Sequence, residues 1–314
     1  MKIIKITPRG YCKGVMKAIT LAKKTREQNP EAKIYVLGKI VHNTYISKAL
    51  EELNIITLDE PNKSRLELLD LIDEGFIIFS AHGIDSRVYN KALSKNLKIV
   101  DASCIDVLKT QNLVDTKLSS GYKVIYIGKY NHPEANAVIS DKENIYLVTK
   151  VQDLHKLKIE SDKIYVTNQT TMSIYEIEEI FKEIRVLYPN AIIEEEICNA
   201  TRLRQEAIIN SQDIDLLYVV GDTLSNNSNK LKEIALKSNI KKAILIDDAK
   251  GIDIRDLNNN LIVGVTSGAS TPTYLTNGVI SALEYYKENQ ELPEIEIDIS
   301  KLIWYVYFVI FAFL

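Results

Sequence analysis

Short runs of Val, Ile, Leu and Tyr recur along the chain. Each is followed by a polar loop and then by apolar positions at helical spacing. "KIYVLGKIV" leads through His42 to "NTYISKALEEL", and "GFIIFSA" through His82 to "GIDSRVYNKALSK". "YKVIYIG" leads to "KYNHPEANAVIS", which holds His132 and Glu134, and "KIYVT" to "NQTTMS", which holds Thr170 and Thr171. "IDLLYVVG" precedes "DTLSNNSN" and the helical "KLKEIALKS", and "LIVGVT" precedes "SGASTPT", with Ser270, and "YLTNGVISALEYYKE". Three further units end their apolar run at a cysteine. "MKIIKIT" runs to Cys12, "LKIVDASC" to Cys104 and "AIIEEEIC" to Cys198, each followed by a helical pattern. The pattern predicts nine strand–loop–helix units, three to each third of the chain. Strands alternating with helices imply an α/β fold with parallel sheets and helices outside. Ligands of such folds gather at the carboxyl ends of the strands, where these loops lie.

The cysteines are the only three in the chain and stand 92 and 94 residues apart. One thiol at the end of a strand is ordinary, because free cysteine is commonly a small buried hydrophobe. Three at equivalent points of three equal thirds suggest a shared object, with three similar α/β domains around one central site. A helix N-terminus favours the thiolate that a metal ligand requires. The thirds share too little sequence identity to prove duplication; the repeat is one of architecture.

Composition narrows the class. With 314 residues, 46% hydrophobic and 26% charged, the chain can bury a sizeable core. A net charge of −3 gives no general basic field for nucleic acid. An odd cysteine count without close pairs argues against a disulfide framework. The N-terminus reads as a strand and not as a signal peptide, so a cytoplasmic location is expected. Residues 1–12 are expected to form a strand packing with the third domain. The three domains are placed at 13–103, 104–194 and 195–286, with an acidic arm and apolar tail over 287–314. The final "LIWYVYFVIFAFL" would span about 20 Å as a helix, short of a hydrocarbon core of roughly 30 Å. It fits a buried terminal strand, a partial membrane or partner contact, or the end of a truncated reading frame. The last is preferred, because nothing else in the chain addresses a membrane.

Several chemistries suit these residues. A structural zinc site normally has four ligands and closely spaced cysteine pairs, which are absent, although three cysteines plus a histidine could serve. Inert buried cysteines are the plainest alternative. Three thiolates from separate domains suit an iron–sulfur cluster with one iron left open, which could act as Lewis acid or electron donor. His42, His82 and His132 occupy equivalent loops, whereas His155 lies in a solvated-looking segment. With Ser225, Asn227, Asn229 and Ser270 they make a plausible anion cradle, since helix N-termini and hydroxyls bind phosphate. "SNNSN" alone also reads as ordinary helix caps. Glu134 could deliver a proton to a leaving hydroxide or simply begin a helix after Pro133. Thr170 and Thr171 could relay that proton or cap the next helix.

Taken together, "PRGYCKGV", "VHN", "SAHG", "DASC", "NHPE", "QTT", "EICNAT", "RQEA", "SNNSN", "IDDA" and "VTSGAS" resemble the LytB-type 4-hydroxy-3-methylbut-2-enyl diphosphate reductase family. They come in family order over residues 1 to about 285. The resemblance implies three α/β domains in a cloverleaf around one 4Fe–4S cluster with an open fourth iron. By that match Cys12, Cys104 and Cys198 ligate iron, and the open iron takes the substrate's hydroxyl. His42, His82, His132, Ser225, Asn226, Asn227 and Ser270 match the diphosphate pocket. Glu134 matches the proton donor and Thr170 its hydrogen-bonding neighbour. The implied reaction is a two-electron reductive dehydroxylation of an allylic diphosphate, giving isopentenyl and dimethylallyl diphosphates with electrons from ferredoxin or flavodoxin. No nucleic-acid partner is implied.

Some positions depart from the family pattern. Ile105 stands where Pro follows the cysteine, Asn226 where a second Ser is usual, and Asn168 where Thr precedes Gln-Thr-Thr. Arg202 and Leu203 replace Thr and Asn. None of these removes a matched ligand or the acid. Two other functions compete with the reductase. One is a hydratase or dehydratase using the cluster only as Lewis acid; the other is a non-catalytic iron or redox sensor, which would have no need of the His, Ser and Asn loops.

Overall fold

The computed structural model describes residues 1–140 and 142–303. Twelve strands form: β1 (Lys2–Lys5), β2 (Ile34–Leu37), β3 (Ile55–Leu58), β4 (Phe76–Phe79), β5 (Lys98–Asp101), β6 (Lys123–Ile127), β7 (Ile145–Val148), β8 (Ile164–Asn168), β9 (Ile192–Ile193), β10 (Leu216–Val220), β11 (Lys242–Ile246) and β12 (Ile262–Ser267). Between them run α1 (Lys13–Gln28), α2 (Thr44–Glu51), α3 (Arg65–Asp70), α4 (Ser86–Ser94), α5 (Ile105–Ser119), α6 (Pro133–Ile139), α7 (Val151–Leu154), α8 (Ile174–Leu187), α9 (Asn199–Ile209), α10 (Asn226–Lys237) and α11 (Thr273–Asn289).

All strands pair in parallel, in three sheets of four, ordered β3-β2-β4-β5, β7-β6-β8-β9 and β11-β10-β12-β1. Each sheet repeats one plan. Counting along the chain, the order is second, first, third, fourth, except that β1 from the N-terminus takes the fourth place beside β12. The first and third strands of each sheet end level, with Leu37 opposite Phe79, Ile127 opposite Asn168 and Val220 opposite Ser267. The strands missed by the periodicity are β3, β7 and β11, the second of each set. No polar loop bearing candidate chemistry follows them, so nothing marked them as units.

The sequence explains why these segments fold as they do. β8 and β10 are buried at every position, as strands covered by helices on both faces must be. Ile125, Ile127 and Val166 pack against Ile177, Ile180 and Phe181 of α8, and Val124, Tyr126 and Tyr165 against Val114, Ala135 and Val138 of α5 and α6. Phe79 and Ile77 of β4 do the same with Leu68, Leu69 and Val88 of α3 and α4. Caps set the helix ends. Ser64 and Glu67 form a reciprocal box at α3, Asp85 caps α4, and Pro133 opens α6. α11 ends at Gln290 in the left-handed region.

The chain forms two compact units. One comprises 1–20, 41–54 and 200 onward, and so holds the sheet of β10, β11, β12 and β1 together with α2; the other comprises 21–40 and 55–199, with the remaining two sheets. Among the described residues no helix is long and apolar enough to cross a membrane. The acidic arm has no regular structure over 292–298. It returns to a short turn of helix in which Leu302 and Ile303 are buried and the Leu302 carbonyl accepts from the Tyr11 hydroxyl at 3.3 Å. The first two residues of the apolar tail are therefore part of the folded unit; 304–314 lie outside the described residues. Leu302→Ala should cost about 2–5 kcal/mol in denaturant unfolding, as for other fully buried leucines.

Candidate functional site

Each cysteine lies beyond the fourth strand of a sheet and immediately before a helix. Cys12 precedes α1, Cys104 is the N-cap of α5, and Cys198 precedes α9. All three are free thiols and half-buried. Their backbones are fixed by loops of the neighbouring third strand. Cys12 N–H donates to Ala269 O at 3.0 Å, Cys104 N–H to Ala81 O at 3.0 Å, and Cys198 N–H to Thr170 O at 3.1 Å. The three bonds are equivalent, one per sheet. The strand before Cys198 is only the two residues of β9, much shorter than "AIIEEEIC" suggests, because Glu194 to Glu196 leave the sheet. Asn168 compensates: its carboxamide oxygen accepts from Glu196 N–H at 3.0 Å, and Lys109 of α5 pairs with Glu196 at 2.9 Å. The departure at Asn168 thus serves to hold the segment that carries a cysteine.

Cys12 has a second brace. Gly10 has a positive φ of 80°, and a Cβ there would overlap the Thr273 hydroxyl. Its N–H donates to Ser267 Oγ at 2.7 Å and its carbonyl accepts from the buried Arg204 guanidinium at 2.6 Å. Cys104 Sγ lies 3.8 Å from Asp106 Oδ2. Among the described residues no three or more His, Cys, Asp or Glu gather as the ligands of one ion. An iron–sulfur cluster sets a different demand, because each thiolate binds its own iron. Three thiols outside any disulfide, each at a helix start and each pinned through its own backbone, fit it.

One unit joins six of the expected residues in a continuous chain of contacts. Cys104 is bonded beside His82 through Ala81, and the His82 and His132 rings meet edge to face at 5.7 Å. His132 caps α6, its Nδ1 accepting from Glu134 N–H at 3.2 Å, so in the neutral ring the proton sits on Nε2. Glu134 Oε1 accepts from Thr170 N–H at 2.7 Å, and Thr170 O accepts from Cys198 N–H. Gln169 and Gln111 brace the loops around them, Gln169 through Lys129 N–H and Gln111 through Ala137 O. Arg65, which the sequence did not mark, donates to Ser80 Oγ and Gly83 O, bracketing His82. Enclosure of its guanidinium pushes its pKa down to about 10, against the pull of Asp85 and Asp59.

Glu134 is the buried acid of this group. Desolvation raises its pKa to about 7, outweighing the Thr170 amide and hydroxyl that favour the carboxylate; nearby Asp106 adds to the rise. Tyr126 is the other buried ionisable group coupled to it and stays neutral.

The other unit holds Cys12, His42, Ser225, Asn226, Asn227 and Ser270. "SNNSN" is not a loop. Ser225 is the N-cap of α10, accepting from Ser228 N–H, and Asn226 and Asn227 form the buried first turn. Both polar atoms of the Asn227 carboxamide are buried with no hydrogen-bond partner in the structure. An orphaned amide at a helix N-terminus is what a phosphate oxygen would satisfy. Ser270 Oγ donates to His42 O at 3.0 Å, so this hydroxyl braces the histidine loop. His155 lies apart from these groups, an exposed residue paired with Glu183. Sequence reading also missed Asp222, Thr44 and Arg204, whose work is to hold backbone.

The family model described as LytB protein matches residues 3–284. The chain is similar to the 4-hydroxy-3-methylbut-2-enyl diphosphate reductase of Bacillus cytotoxicus, 46% identical over 91% of both chains. It is also similar to that of a Geobacillus species, 45% identical over 92% of both. Among solved structures it is similar to the E-1-hydroxy-2-methyl-but-2-enyl-4-diphosphate reductase from Plasmodium falciparum. That match has a TM-score of 0.83 and 29% identity, covering 99% of this chain and 98% of the other.

The raised pKa of Glu134 has a consequence for stability. A carboxyl whose pKa is higher folded than unfolded contributes stability below its unfolded value, here 4.5, and loses it as pH rises through about 7. Denaturant unfolding across that window should show the wild-type protein losing stability relative to Glu134→Gln. Parallel curves for the two proteins would mean that Glu134 is not held protonated.

Proposed function

The chain belongs to the LytB protein family, and from that premise we infer that it reduces 4-hydroxy-3-methylbut-2-enyl diphosphate to isopentenyl and dimethylallyl diphosphates. This is the terminal step of the non-mevalonate isoprenoid route. The observation that supports the reading is the chain of contacts from Cys104 through His82, His132, Glu134 and Thr170 to Cys198, in which a carboxyl of raised pKa stands between two histidines and two thiols. The same reading takes the three sheets as three domains, divided near residues 104 and 195, and sets the reaction in the cytoplasm with ferredoxin or flavodoxin as donor.

Cys12, Cys104 and Cys198 would hold a 4Fe–4S cluster. Such a cluster, when bound, supplies electrons and an open Lewis-acidic iron. The rest falls to the chain. Removing the allylic hydroxyl as water and placing hydrogen on carbon consumes two electrons and two protons. His42, Ser225, Asn227 and the N-terminus of α10 would hold the diphosphate, and the same reading assigns His82, His132, Asn226 and Ser270 to its binding. His132, with Nδ1 engaged by Glu134 N–H, offers Nε2–H as a donor. Glu134, protonated up to about pH 7, gives its proton to the departing hydroxyl oxygen. Thr170 orients that carboxyl through its amide and hydroxyl and stabilises the carboxylate left behind.

The test is anaerobic turnover of the allylic diphosphate with dithionite and a viologen, with products identified. Reductant should be consumed stoichiometrically and both alkenyl diphosphates should appear; a hydrated or dehydrated product without reductant use would support the Lewis-acid rival. Glu134→Gln should lower kcat roughly a hundredfold, the scale of lost general acid catalysis, with affinity for isopentenyl diphosphate little changed. His42→Ala should do the opposite and weaken binding of that inert product. Normal turnover by Glu134→Gln would remove Glu134 as the acid.

A further inference from the structure

The start of α2 is held at three nearby residues, His42, Thr44 and Tyr45. Ser270 Oγ, beyond β12, donates to His42 O at 3.0 Å; Asp222, beyond β10, accepts from Thr44; and Asp248, beyond β11, accepts from the Tyr45 hydroxyl. Asp222 is the most heavily engaged of these. It is buried, and its two carboxylate oxygens serve different loops. Oδ2 accepts from Thr44 N–H at 2.8 Å and from Thr44 Oγ1 at 2.7 Å. Oδ1 accepts from Leu224 N–H at 2.8 Å, and the Asp222 carbonyl accepts from Ser225 N–H at 3.0 Å. One side chain therefore ties the segment two residues after His42 to the turn that ends at Ser225, the cap of α10.

We propose that Asp222 is a positioning residue for the diphosphate, fixing His42 relative to Ser225 and Asn227. The inference rests on the diphosphate reading of those residues. A carboxylate near a bound diphosphate would repel it if its charge were bare, but three donors on its oxygens disperse that charge. Beside it a cavity of about 230 Å³, lined by Thr44, Tyr45, Lys48, Asp222 and Asp247 among others, leaves room for the two loops to shift if the tie is cut. Two of the three donors are the backbone N–H groups of Thr44 and Leu224, present whatever the residue, so the acid is the point at which the tie is made.

Kinetics of the cluster-loaded enzyme and binding of isopentenyl diphosphate test this. Asp222→Ala should raise KM and weaken product binding roughly tenfold, the scale of lost charge-assisted hydrogen bonds, with kcat changed far less. Asp222→Asn, which keeps one acceptor, should recover part of the loss. Thr44→Val, which leaves residue 222 intact, should show a smaller shift of the same kind, and serves if Asp222→Ala does not fold. In a His42→Ala background Asp222→Ala should add little, because a residue acting through His42 has nothing left to position. An undiminished additional penalty in that background would make Asp222 a purely structural residue and overturn the proposal. So would a fall in kcat with KM unchanged. If His42→Ala itself left product binding intact, the diphosphate reading would fall, and this inference with it; if only the Asp222 and Thr44 variants were silent, the inference alone would fall.

Discussion

Parallel strands cannot be joined by a hairpin. Each must be left at its carboxyl end and re-entered at its amino end through a crossover, so every loop that follows a strand collects along one edge of its sheet. That constraint governs this molecule. Because all twelve strands are parallel, the sequence after a strand is the place where chemistry can accumulate. The loops after the first and third strands carry His82, His132, Thr170, Ser225 and Ser270, and the segments after the fourth carry the cysteines. The level ends of the first and third strands, such as Ile127 opposite Asn168, set the His132 and Thr170 loops side by side, and Glu134 reaches Thr170 across them.

The polar cost of such an edge is met by the backbone. A buried carboxyl is expensive to ionise, and Glu134 answers by staying protonated to about pH 7 while Thr170 keeps an amide aimed at it. Each cysteine is anchored through its N–H to the loop beyond the third strand. Asp222, Arg65, Arg204 and Asn168 do similar work at a distance. They hold the peptide on either side of a reactive group by bonding to its carbonyls or amides.

Much of this was legible in the sequence because β-branched runs, polar loops and helical spacing repeat with the fold's own period. Nine of the twelve strands were marked by chemistry at their ends. β3, β7 and β11 lacked that mark, and their four or five apolar residues do not by themselves separate a strand from a buried helical turn. Of the two readings of "SNNSN", a polar loop or helix caps, the structure has the second: Asn and Ser disfavour helix interiors, yet at a cap and first turn they are at home. Glu134 was visible as an acid in a histidine loop, but not its burial, which follows from how α6 packs in the tertiary structure. Asp222 and Arg65 gave no signal because their partners are hydroxyls and main-chain atoms distant in sequence, which no local motif marks.

Three separate thiols are proposed to serve one iron–sulfur cluster. Protein purified without oxygen should carry about four irons and four sulfides, with one iron distinct in the Mössbauer spectrum, and serine at any one of Cys12, Cys104 or Cys198 should lose most of both. Stoichiometric zinc, or iron retained in full by all three serine variants, would contradict the account.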